Sequence, residues 1–134
     1  MAVALFPDIE ALAVGYLKAE LAALSDSARV ATSIPNPRPS RLVRVTRNGG
    51  AITWPATDKP LVIFQCWDTD TRKASDLCGI VRDLVWTLPD AVDGFGRDVR
   101  RVREVGGPAY FPDPLTAFPR YQFTAEFHTR GRAR

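Results

Sequence analysis

Two cysteines, one histidine and one methionine are all that 134 residues contain of the side chains most used for metal and redox chemistry. Cys66 lies in an apolar run and Cys78 in a helical pattern, without the close spacing or His/Cys company of a metal site, so both read as small buried hydrophobes. His128 sits near the end of a strand pattern beside Glu126 with no nucleophile motif nearby, and is read as a satisfied or exposed strand histidine rather than part of a triad. The glycine pairs Gly49-Gly50, Gly94-Phe95-Gly96 and Gly106-Gly107 lack the Lys-Ser/Thr of a phosphate loop and read as turns. No zinc, EF-hand or dinucleotide pattern occurs, so no cofactor or metal is expected and no catalytic residue is assigned. No apolar run approaches the roughly 18 residues that span a bilayer, and Asp8 and Glu10 stand where a secretory leader would be basic. The expectation is a protein made in the cytoplasm, or in something assembled there, with no membrane partner.

What the chain does have is enough length for one domain, 1–134, to bury its own core without cross-links. The formal charge is +3, and the excess comes largely from Arg97, Arg100, Arg101, Arg103, Arg130, Arg132 and Arg134. The first four alternate with Asp98, Val99, Val102 and Glu104, which suits a solvated strand face better than a nucleic-acid surface. Asp68 and Asp70 could in principle hold Mg²⁺ or act as an acid–base pair; the simpler reading is that Asp70 caps a helix and Asp68 decorates the turn before it.

Periodicity predicts the elements. Asp8 precedes Ile9, Leu12, Ala13, Tyr16, Leu17, Leu21 and Leu24, whose three-and-four spacing makes an amphipathic helix with Asp8 as N-cap. Arg29–Ile34 reads as a strand closed by Pro35, Pro37 and Pro39. Arg41–Arg47 alternates, with Val43 and Val45 inward and Leu42, Arg44 and Thr46 outward, and Asn48-Gly49-Gly50 supplies the positive φ values of a tight turn. Ala51–Lys59 reads as a loop or irregular edge, and Leu61–Trp67 as a central strand covered on both faces. Asp70-Thr71 opens a second helix, in which Ala74, Leu77, Cys78, Val81, Leu84, Val85 and Leu88 form an unbroken stripe ended by Pro89. Asp93–Gly96 turns the chain into a strand over Asp98–Val105.

The last quarter combines a stiff Pro-rich arm, 106–119, with a strand in which Tyr121, Phe123, Ala125 and Phe127 share one face and Gln122, Thr124, Glu126 and His128 the other. A frayed basic tail, 130–134, follows. The fold class is α+β: a mixed or antiparallel sheet of about five strands with two helices packed on it, in the order α-β-β-β-α-β-β.

The pattern resembles the tail terminator proteins of long-tailed bacteriophages (siphoviruses), particularly those infecting actinobacteria. The likeness rests on Phe6-Pro7-Asp8-Ile9-Glu10, on Pro35 and Pro37-Arg38-Pro39, and on the Arg-alternating strand closed by Asn48-Gly49-Gly50. Lys59-Pro60 leading into Val62–Trp67, the Asp70-Thr71 helix entry with Ala74 and Leu77, and Pro112-Asp113-Pro114 followed by Pro119–Thr124 complete it over nearly the whole chain. The resemblance implies a virion protein at the tail–neck junction, assembled in the host cytoplasm, that caps the tail tube as a homohexameric ring, ends tube polymerisation and presents a surface to a head-completion (stopper) protein. DNA would pass through its channel without sequence-specific binding. Within that picture the arm projects, and Tyr110, Phe111, Pro112, Pro114, Phe118 and Arg120 are expected at a subunit interface; the alternative is an arm folded back over its own core. Arg97, Asp98, Arg100, Arg101, Arg103 and Glu104 are expected to line the channel or to pair between subunits. Three alternatives stand beside it: another neck component, such as a head–tail connector or stopper; a nucleic-acid-binding module, whose affinity would fall steeply with salt; and a small enzyme using Asp68 and Asp70.

Overall fold

The computed structural model describes residues 4–54, 56–91 and 96–133. Its elements in chain order are β1 (Ala4–Leu5), α1 (Ile9–Ala23), β2 (Arg29–Ala31), β3 (Leu42–Thr53), β4 (Thr57–Trp67), α2 (Thr71–Thr87), a 3₁₀ turn (Leu88–Asp90), β5 (Val99–Tyr110), β6 (Arg120–Arg130) and β7 (Arg132–Ala133). A five-stranded sheet runs β2-β3-β4-β6-β5, with β2 parallel to β3 and every other pair antiparallel. It is the α+β architecture expected, with β4 at its centre. The tail is not frayed as expected: Arg132–Ala133 pairs with Ala4–Leu5 as a second, two-stranded sheet, and Arg132 holds Asp98 at 2.9 Å.

Both helices begin where the sequence places them. The Asp8 carboxylate accepts from the Ala11 N–H at 3.1 Å and Asp70 from Lys73 at 2.8 Å, each satisfying one of the orphan donors of a first turn. The end of α1 carries no glycine, yet it closes in a Schellman motif: Ser25 adopts φ 57°, its N–H reaches the Ala22 carbonyl, and the Asp26 N–H reaches Leu21. Leu24 falls beyond the last packed turn and lies exposed, against its predicted place in the stripe.

The helices cover one face of the sheet. Ile9, Ala13, Leu17 and Leu21 of α1 and Leu77, Cys78, Val81 and Val85 of α2 close over Val43, Val45, Val62, Phe64, Cys66, Phe123, Ala125 and Phe127. Phe64 and Phe123, directly opposite in register, stack with centroids 4.9 Å apart, and Phe127 tilts against Phe64 at 6.2 Å. Cys66 and Cys78 are free and buried, as expected, and burial pushes the Cys66 thiol pKa up.

Three local expectations fail. Along β4 burial alternates, so the strand is covered on one face and half-exposed on the other at Leu61, Ile63 and Gln65. Its apolar outward residues, not a second helix layer, make it look doubly buried in sequence. Asn48-Gly49-Gly50 is a bulge rather than a turn: the register shifts between Arg47 and Gly50 while pairing continues to Thr53, and β4 begins at Thr57, inside the stretch read as loop. The positive φ values are there, 79° at Gly49 and 102° at Gly50. A Cβ on Gly50 would run into the backbone of Lys59, Pro60 and Leu61, so this bulge requires glycine. Third, β5 continues through Gly106–Tyr110, absorbing the glycines in register breaks. The predicted turn at Asp93–Gly96 lies outside the described residues except for Gly96, which lies against the carbonyls of Leu88 and Pro89.

Candidate functional site

The face of the sheet away from the helices carries Arg44 and Thr46 on β3, Leu61, Ile63 and Gln65 on β4, and Gln122, Thr124, Glu126 and His128 on β6. It is mostly uncharged across its middle, where Gln65 donates to Gln122 at 3.3 Å, and charged toward the β5 edge, where Glu126 accepts from Arg103 at 3.2 Å and bonds His128 at 2.7 Å. The Arg103 and His128 bonds hold the Glu126 carboxyl below the usual range.

One end of this face is closed by two loops that sequence reading did not connect. Trp67 and Leu42, opposite each other in register, point outward and yet are buried. The Arg38 guanidinium, from the loop after β2, lies 4.9 Å from the Trp67 ring and 5.8 Å from that of Phe118; Arg120 approaches Trp67 at 5.8 Å from the other strand. The Trp67 indole N–H donates to Asp113 at 3.1 Å. Asp113 also accepts the Leu115 N–H, and that bond, helped by the indole against partial burial, holds its carboxyl below the usual range. The Pro-rich segment is therefore not the projecting arm expected. Its first part is strand, and residues 111–119 are a strap folded back over Trp67, because Asp113 finds a partner in Trp67 on the chain's own sheet and Phe118 finds one in Arg38 of the loop after β2.

The strap divides the predicted interface residues. Phe118 lies against the Arg38 guanidinium and Arg120 faces Trp67, and Arg120 also donates to the Phe111 carbonyl at 3.0 Å. Tyr110, whose ring meets Tyr121 at 5.3 Å, lies half out in solvent with Phe111, Pro112 and Pro114. Leu115, at the tip, is 94% exposed. The predicted charge cluster divides too: Glu104 is held by Arg82 on α2 at 2.7 Å, Arg103 by Glu126 and Asp98 by Arg132, whereas Arg97, Arg100 and Arg101 are exposed.

Asp68 does more than decorate a turn. Arg41 donates two bonds to Asp26, at 2.7 and 2.8 Å, and one to buried Asp68 at 2.8 Å, tying the loop after α1 to the end of β4. The Arg41 bonds overcome desolvation at Asp26; at Asp68 burial works upward, but Arg41 and the Thr69 N–H outweigh it, so both carboxyls sit below their ordinary range. With Asp68 engaged by Arg41 and Asp70 capping α2, the two acids serve separate structural ends. Among the described residues no three His, Cys, Asp or Glu side chains group to hold a metal, and no helix is long and apolar enough to cross a membrane.

A helix-backed sheet with one open face and an aromatic strap defines a small α+β subunit whose notable features are surfaces for contact. Residues 5–134 match the model of the phage tail termination proteins, and the chain belongs to that family. It is thus a bacteriophage tail protein of a structural family, and its place is the virion. Comparison with curated proteins gives no match.

Proposed function

We propose that the chain caps the tail tube of a long-tailed phage as a ring of six identical subunits, ends tube polymerisation there and offers its other axial face to a head-completion protein. The observation that carries this reading is the family match over residues 5–134. A cap on a helical stack needs a subunit whose contacts around the ring are heterologous and whose two axial faces differ. The two faces of this sheet, one sealed by helices and one open, and the exposed aromatic strap fit that need. No step makes or breaks a covalent bond, so the reading assigns the protein no enzymatic role. The subunits assemble in the host cytoplasm, and DNA crosses the ring without being read. The arginines support this over nucleic-acid binding: Arg41, Arg47, Arg82, Arg103 and Arg132 are all engaged by the chain's own carboxylates.

The test is deletion of the gene with complementation by the wild-type protein. The expected result is tails of uncontrolled length that fail to join capsids, with labelled protein at the tail end nearest the head in complemented particles. Tails of normal length joined to capsids in the deletion would overturn the proposal, and label at the portal side only would move the protein to another neck position.

A further inference from the structure

Resting on that ring reading, we infer that the β3–β4 hairpin of one copy docks on the Pro-rich strap of the next, so that the same two unlike patches, repeated head to tail, form the contact around the ring. The sheet treats its edges and ends unequally. The β5 edge is protected against strand addition, by exposed Arg100, Arg101 and Arg103, by three register breaks and by Pro108. The β3 edge is not. Among the described residues β2 covers only Leu42–Arg44, and from Asn48 to Thr57 the chain carries no charge at all. Ile52 is 49% and Trp54 67% exposed there.

At the other end, Val105–Pro119 carries one charge, Asp113, and its carboxylate is already engaged by Trp67 and Leu115; around it Tyr110, Phe111 and Leu115 are exposed. In a chain with 25% charged residues, these are two exposed apolar patches matched in lacking charge. Register places them apart: Thr57 pairs with Arg130 and Trp67 with Arg120, so the length of β4, about 35 Å, separates them. One patch cannot cover the other within a chain, so only a second molecule could bring the two together. Two unlike patches at opposite ends are what a heterologous contact between copies requires.

The size of the patches fits a ring rather than a dimer. Burying the exposed parts of these five side chains would remove on the order of 600 Å², roughly a third to a half of what a stable pairwise interface buries. An isolated pair would dissociate readily, whereas ring closure makes the last contact intramolecular and holds the rest.

Thr53 and Ala117 are exposed neighbours of the two patches, and Cys66 and Cys78 are buried, so Thr53→Cys and Ala117→Cys can be joined by a short bismaleimide in virions and in concentrated purified protein. The expected result is a ladder of self-cross-linked species from the double variant, ending at six, and none from either single variant. A ladder running past six keeps the contact but overturns the closed ring. Self-cross-linking of Thr53→Cys alone, cross-linking to the tail-tube protein instead, or no cross-link in particles whose tails terminate normally would each overturn the contact while leaving the capping function standing. As a second measurement, Trp54→Ser should lower the sedimentation coefficient of the concentrated protein with an unchanged circular dichroism spectrum; an unchanged sedimentation coefficient would count against the docking.

Discussion

Along β4, Val62, Phe64 and Cys66 point at the helices and are fully buried, whereas Leu61, Ile63 and Gln65, one residue away in each case, point outward and are half-exposed. The strands are shared; the two faces are not alike. On the helix side apolar side chains interlock with α1 and α2, and stability there comes from removing area from water. On the open side half-exposed Leu61 and Ile63 stand among Thr, Gln and ion-paired charges, held by cross-strand contacts that are individually weak. The difference assigns fold energy to one face and leaves the other to change with little effect on folding, which suits a subunit that must stay folded while its surface meets other molecules.

The sharpest way to break this comparison is Phe64→Ala. It removes a ring stacked between Phe123 and Phe127 on the covered face and should cost about 3–5 kcal/mol. Ile63→Ala, its neighbour on the open face, should cost well under half as much, since a half-exposed side chain gives back less area. Urea denaturation of the two variants measures both, and equal losses would mean that the open face is covered.

Arg41→Met should come next, at about 2 kcal/mol, because it leaves buried Asp68 and its partner Asp26 without their shared cation. The pH dependence carries a sign. Both carboxyls titrate lower in the folded protein than in the unfolded chain, so near and below the ordinary carboxyl range the unfolded state binds more protons and stability falls as pH falls. The wild type should have the full contribution above the unfolded carboxyl range and lose it as pH drops through the folded values. Arg41→Met should flatten that acid limb, and denaturation midpoints at several pH values would show whether it does.

That triad was hidden in the sequence for a physical reason, and so was the strap. Helix stripes, capping aspartates and the Tyr121–Phe127 alternation are local patterns, repeating every few residues, and apart from Leu24 at the end of α1 each is where its period puts it. Arg41, Asp26 and Asp68 meet across the sheet end, and Arg38, Trp67, Asp113 and Phe118 come from three distant segments. No spacing rule joins them. Prolines in 108–119 announce a stiff segment, but a stiff segment can project or fold back, and the choice lies in partners that only the tertiary structure supplies. The open face escaped for a related reason: Leu61 and Ile63 satisfy the pattern of a doubly buried strand, although among the described residues nothing packs over them as a second layer.

The strap gives the third prediction. Asp113→Asn keeps the size but loses the charge that receives the Trp67 N–H, and should cost about 1 kcal/mol. The readout is Trp67 fluorescence in a background with Trp54 and Trp86 replaced by Phe, where release of the strap exposes the indole. Arg38→Met should behave differently, because buried Nε and Nη2 of Arg38 make no hydrogen bond among the described residues. Losing them removes a desolvation cost along with the ring contacts, leaving a net change near zero. A large loss in Arg38→Met would show that the stacked guanidinium, rather than the Asp113 bond, holds the strap.

The smallest effect expected reverses sign and tests the open face most directly. Thr46 lies there, opposite Ile63, and its hydroxyl is buried without a hydrogen-bond partner among the described residues. Thr46→Val keeps the β-branched shape and removes the unsatisfied oxygen, so it should stabilise the subunit by up to about 1 kcal/mol. Thermal unfolding measures that gain in the isolated protein. Infectivity of phage carrying the same change measures something separate: if the hydroxyl finds its partner only in the assembled particle, the variant will be more stable as a subunit and poorer as a virion component. A stabilised subunit with unchanged infectivity would place Thr46 outside any assembly contact and confine the working part of the open face to its strapped end.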